Sequence, residues 1–107
     1  MTMLVASTHH VEGRPVKEHL GLVTGEVIVG ANFFRDIFAS VTDFVGGRSG
    51  KYEKVLKRGR EEALYEMQME AVNLGANAVI AVNIDYGVVG SKGSMMLVSV
   101  TGTAVRI

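Results

Sequence analysis

The chain has no cysteine, no tryptophan and one proline, and its formal net charge is zero. Without cysteine there is neither a disulfide framework nor a thiolate metal site. That fits a cytoplasmic location. Without net positive charge there is no electrostatic footprint for nucleic acid and no attraction to acidic membranes. No apolar run approaches the ~20 residues a membrane helix needs. The first ten residues, MTMLVASTHH, lack a charged segment followed by a long apolar one, so no signal peptide is expected.

What remains is a chain of 107 residues, 48% hydrophobic, with 11 basic and 11 acidic residues. That length fits one domain over 1–107, and that composition supports a packed core rather than disorder. Glycine is abundant, at 13 residues, and densest between Asp43 and Glu53, DFVGGRSGKYE. The spacing predicts a turn there between two helices. Gly46 or Gly47 would stop the first, and Ser49 would cap the second.

A glycine-rich turn feeding a helix presents free N–H groups, and Arg48 and Lys51 add two cations. An anion site there would use Arg48, Lys51 and Tyr52. A plain connector whose glycines allow close packing accounts for the same residues. A Walker A loop fails on spacing: three residues separate Gly46 from Gly50-Lys51 where four are needed, and Tyr52 replaces the hydroxyl residue for magnesium.

Elsewhere the pattern alternates between strand and helix periods. Met3 to Ser7 reads as a short strand, and His9 to Glu18 as a loop containing Pro15. Leu22 to Ala31 reads as a strand whose Val23, Gly25, Val27 and Val29 face the core. Gly25 marks a bulge or a close approach of another backbone. Asn32 would cap a helix over 33–45, striped by Phe34, Ile37, Phe38, Val41 and Phe44.

The second helix is predicted over 51–74, striped by Tyr52, Leu56, Gly59, Ala63, Met67, Ala71 and Leu74. Its small residues allow close packing, and Gly75 ends it. Glu53/Lys57, Lys57/Glu61 and Arg58/Glu62 are spaced for ion pairs on the solvated face.

Two long strands follow, over 76–89 and 95–107, joined by a turn at Gly90-Ser91-Lys92-Gly93. In the first, Ala78, Ile80, Val82, Ile84, Tyr86 and Val88 share a face. Ordinary strands have ~5–6 residues, so two helices cannot cover this hairpin. Either it bends at Asn83 or Gly87, or another subunit covers the excess; the second is preferred.

The segments GEVIVGANFFRDIFASVTDFVGGRSGKYE, LGANAVIAVNIDY and SVTGTAVRI resemble the YbjQ family, an uncharacterised group of small bacterial and archaeal proteins. The similarity runs from Gly21 to Ile107. It rests on Arg35-Asp36, Asp43, Gly46-Gly47-Arg48, Tyr52-Glu53, Gly75-Ala76-Asn77 and Asp85-Tyr86 in order. The resemblance implies an α+β subunit with two layers, an antiparallel sheet with two helices on one side, similar to the dodecin-like architecture. It also implies a ring-shaped homopentamer. The family is sometimes labelled heavy-metal binding, but no family metal motif maps onto particular residues here.

Metal ligands would have to come from His9, His10, Glu12, Glu18 and His19, with His9, Glu12 and His19 as the candidate set. Adjacent His9 and His10 point opposite ways in an extended chain. An enzyme would draw on Asp36, Asp43, Arg48, Tyr52 and Asp85, but no nucleophile–base pair is evident, so no catalytic residue and no cofactor is assigned. A ligand-binding ring would line intersubunit clefts with Arg48 or with Asp85 and Tyr86. A scaffold role needs none of these. The sequence therefore points to a homo-oligomer of unknown activity.

Overall fold

The structure is a computed structural model describing residues 3–30, 48–90 and 95–107, with side chains described for all but 48–52 of these. It comprises β1 (Leu4–Val5), β2 (Glu18–Val29), α1 (Arg48–Asn73), β3 (Ala78–Val89) and β4 (Met95–Arg106). The strands form one sheet in the order β1-β3-β4-β2. The expected helix over 33–45 and the glycines at 46 and 47 lie outside the described residues.

The sheet is mixed rather than antiparallel. β2 and β3 each run antiparallel to β4, but β1 runs parallel to β3, with Leu4 opposite Ala78 and Val5 opposite Val79. The pairing continues past β1. Ala6 N–H donates to Val79 O at 3.0 Å, Val82 N–H to Ala6 O at 3.1 Å and Ala81 N–H to Thr8 O at 2.8 Å. A two-residue strand carries no periodicity, so its direction was not readable from sequence.

β2 starts at Glu18, four residues before the expected Leu22. Its register shifts between His19 and Gly21, where Gly21 has φ +137°. The bulge sends Leu20 into the core beneath the helix and leaves Leu22 on the opposite face, 70% exposed. In an unbroken strand the two leucines would share a face. From Leu22 onward the expected alternation holds, with Val23, Gly25 and Val29 buried and Val27 half-buried.

α1 lies on β2 and β4. Its buried row is Val55, Gly59, Ala63, Met67 and Ala71, one residue every fourth position. Val55 takes the place expected for Leu56, which is half-buried, and Leu74 is exposed. Ser49 does not cap the helix, because α1 already includes Arg48.

The helix ends as expected. Gly75 adopts φ +86°, its N–H donates to Val72 O at 2.9 Å, and Ala76 N–H donates to Ala71 O at 3.0 Å. These two bonds make a Schellman cap. The last turn carries no basic residue of its own, but Arg106 Nη1 donates to Gly75 O at 3.1 Å. Of the ion pairs expected along α1, Arg58–Glu62 forms at 3.7 Å between exposed side chains and is worth a few tenths of a kcal/mol.

β3 contains the main departure from the expected pattern. Between Ile80 and Asn83 it carries one residue more than β4, and Ala81 has φ +54°. This bulge flips the alternation. Ala78 and Ile80 pack on the face away from α1 with Val105, Ile107, Val11 and Val16. Val82 and Ile84 pack on the α1 side. The single face expected from Ala78 to Val88 is therefore divided in two. The bend sits next to Asn83, one of the two expected places, whereas Gly87 stays in register opposite Leu97.

A non-glycine residue in the left-handed region costs about 1 kcal/mol. Ala81→Gly should raise stability by roughly that amount, and Ala81→Val should lower it, both read from urea midpoints. Destabilisation by Ala81→Gly would contradict the bulge geometry.

The C-terminus is held by an amide clasp. Asn77 Nδ2 donates to Ile107 O at 3.0 Å, and Ile107 N–H donates to Asn77 Oδ1 at 2.9 Å. With Asn77 N–H on Val105 O at 3.1 Å, the β3–β4 ladder is carried past its last strand pair. Among the described residues no buried side-chain N or O lacks a partner.

Candidate functional site

The candidate residues fall on three parts of the fold. Arg48, Lys51 and Tyr52 lie in the first turns of α1. That placement puts the two cations within the helix rather than in a preceding loop.

Asp85 and Tyr86 lie on the part of β3 beyond the bulge. As neighbours in a strand they point to opposite faces. Asp85, opposite Ser99, accepts a 2.8 Å hydrogen bond from Asn83 Nδ2 on the open face of the sheet. Tyr86, opposite Val98, is on the helix side, where its hydroxyl accepts from Arg60 Nη1 at 3.3 Å. The two cannot line one cleft of one copy from the same face. Arg60 was not singled out in the sequence; its i, i+26 relation to Tyr86 is created only by the fold.

The third place is the loop before β2. His9, His10 and Glu12 are exposed there, and Glu18 and His19 are exposed at the start of β2. Among the described residues, no group of three or more His, Cys, Asp or Glu side chains comes together as a metal site would require. His9, Glu12 and His19 are thus not gathered into a ligand set within one copy.

The open face beyond the loop is mixed in character. Across it, Glu26, Ser99 and Asp85 form one cross-strand row, and Thr24, Thr101 and Asn83 form the next. Leu22 and Ile28, 70% and 58% exposed, flank these rows. On the helix side, Tyr86 and Val88 extend past the cover of α1 at 47% and 69% exposure.

The family model whose description is "Putative heavy-metal-binding", YbjQ_1, matches residues 3–107. The chain belongs to the YbjQ family. A solved structure with the same fold is a protein of unknown function of the DUF74 family from Pediococcus pentosaceus ATCC 25745. DUF74 and YbjQ are the same family. The two chains share 16% sequence identity with a TM-score of 0.54, over 98% of this chain and 97% of that one. At this identity the likeness speaks to fold. It matches the α+β arrangement of helix and four-stranded sheet described above. No helix of the described residues is long and apolar enough to cross a membrane.

Proposed function

We propose that this YbjQ-family protein works as a homo-oligomeric ring of five copies with a scaffold or assembly role, built from dodecin-like subunits. The observation that carries the proposal is the set of large apolar side chains that one copy leaves in solvent on β2 and β3: Leu22 at 70%, Ile28 at 58%, Tyr86 at 47% and Val88 at 69% exposure. Exposed apolar patches of this kind mark sites of protein association.

A second reading, favoured by the family's description, is a metal or small anionic ligand held between copies. His9, Glu12 and His19 are the metal candidates. Arg48, Lys51, Tyr52, Asp85 and Tyr86 are the anion or small-ligand candidates. The scattered histidines fit this only if ligands from more than one copy meet.

Native mass spectrometry of protein purified without an affinity tag tests both. The expected result is a species of five 11.5 kDa subunits with no added mass. Stoichiometric added mass would favour the second reading, and the mass would say whether metal or ligand. A monomer at micromolar concentration would overturn the ring.

A further inference from the structure

Residues 3–16 wrap the edge of β3 where that strand bulges. Their attachment is narrow and mostly main-chain. β1 contributes two paired residues, Leu4 and Val5, and runs parallel to β3, the slightly weaker of the two kinds of pairing. Three bonds follow it: Ala6 N–H to Val79 O, Val82 N–H to Ala6 O and Ala81 N–H to Thr8 O, at 3.0, 3.1 and 2.8 Å. No residue from 3 to 16 is fully buried.

The segment touches both faces of the sheet. Met3 and Val5 pack half-buried on the α1 side. Val11 and Val16 pack half-buried on the other. The residues they meet are enclosed far more completely. Ala78, Val79 and Val105 have no exposure, and Ile80 and Ile107 have 5% and 9%. Ala78, Ile80, Val105 and Ile107 form a small cluster of their own, separate from the one beneath α1. α1 packs mainly on β2 and β4, away from the edge that the segment covers.

We propose that residues 3–16 are a strap that opens as one unit while the core of α1, β2 and β4 stays folded. Segments with few buried apolar side chains open locally, at lower cost than the core around them. The strap and the bulge are coupled. Neither Ala81 nor Val82 has a partner residue on β4, so the strap carbonyls satisfy their amides. Ala81 holds φ +54°, a conformation that persists where its surroundings fix it, and the Thr8 carbonyl is one of those restraints. When the strap lifts, β3 from Val79 to Val82 becomes an open edge, and Ala78, Ile80, Val105 and Ile107 meet water. Closed, the strap is the cover that a sheet edge needs. Lys17 N–H, on Arg106 O at 2.8 Å, stays with β2 and marks the hinge. The strap belongs to the single copy and does not rest on the ring.

Hydrogen exchange of the full chain, resolved to single amides and repeated in low urea, tests this. The amides of Ala6, Ala81 and Val82 should share one protection level. It should lie about tenfold or more below that of the bonded amides between Val23 and Val29. Their opening should also depend less on urea, because it exposes less surface. Val11→Ala weakens the strap at a point distant in sequence from all three reporters on β1 and β3. It should speed exchange at all three by about fourfold, leaving Lys17 and the β2–β4 amides unchanged.

If the three amides match the β2–β4 ladder in protection and urea dependence, the strap leaves only with the whole sheet and the proposal falls. That comparison needs only the unmodified protein, so it decides even where the variant does not fold. Three unequal protection levels, or a Val11→Ala effect that does not reach Ala81 and Val82, would overturn the single opening.

Discussion

Gly25→Ala should destabilise the protein by about 3 kcal/mol, at the upper end of overpacking costs. Gly25 sits on β2 where α1 crosses closest. A methyl group added there would overlap the carbonyl oxygen of Ala63 and lie 2.9 Å from both the Ala63 carbonyl carbon and the Met67 nitrogen. All three are backbone atoms in the middle of a helix. No rotamer change relieves the overlap, so α1 must lift from the sheet or β2 must bend. Lifting the helix would loosen the whole buried row from Val55 to Ala71.

The measurement is the urea midpoint beside that of Gly87→Ala, whose added methyl meets nothing within 4 Å. At ~3 kcal/mol the melting temperature falls by roughly 15 °C for a domain of this size. The control should hold its value or rise slightly. Equal stability of the two variants would contradict the close approach of α1.

Met67→Ala should be the most costly truncation among the described core residues, at roughly 2–5 kcal/mol. Met67 is fully buried and, among the described residues, is the largest side chain so enclosed. Its sulfur reaches across the sheet to within 3.3 Å of where a Gly102 methyl would stand, beside Val79 and Val82. It thus ties α1 to β4 and to the bulged segment of β3 at one point. Chemical denaturation should show a lower midpoint with an unchanged slope. A loss under about 1 kcal/mol would mean that neighbouring side chains collapse into the space, against the tight packing described.

These two residues also show how far the sequence could be read. Gly25 was legible as a bulge or a close approach, because a lone glycine on an otherwise apolar strand face needs a reason; the structure gives the close approach, and the bulge lies at His19/Gly21. Gly75 was legible as a helix stop, and the structure gives it a complete Schellman cap. The small-residue row on α1 was legible in its centre, at Gly59, Ala63, Met67 and Ala71. It was misjudged at the ends, because both Val55 and Leu56 fit a stripe and the fold decides which one points at β2.

The β3 bulge was not legible. Alanine at position 81 gives no turn signal, and apolar residues run on both sides of it, so the alternation reads the same whether or not it flips. The parallel β1 was hidden for a related reason: its direction is set by main-chain bonds to β3, not by side-chain pattern. The candidate site fared differently from the fold. Asp85-Tyr86 and the His9 to His19 stretch were found by residue type, but residue type says nothing about which face or which neighbour. The partnership of Tyr86 with Arg60, and the opposite facing of Asp85, needed the register of β3 against β4.

The central claim is that copies of this chain assemble through the apolar side chains that one copy leaves exposed on β2 and β3. Sedimentation velocity of the unmodified protein beside Leu22→Lys and Val88→Lys tests it most directly. The account predicts one ring-sized species for the unmodified protein and a smaller, folded species for at least one variant. A folded monomer of the unmodified protein at every concentration, or unchanged assembly in both variants, would contradict it.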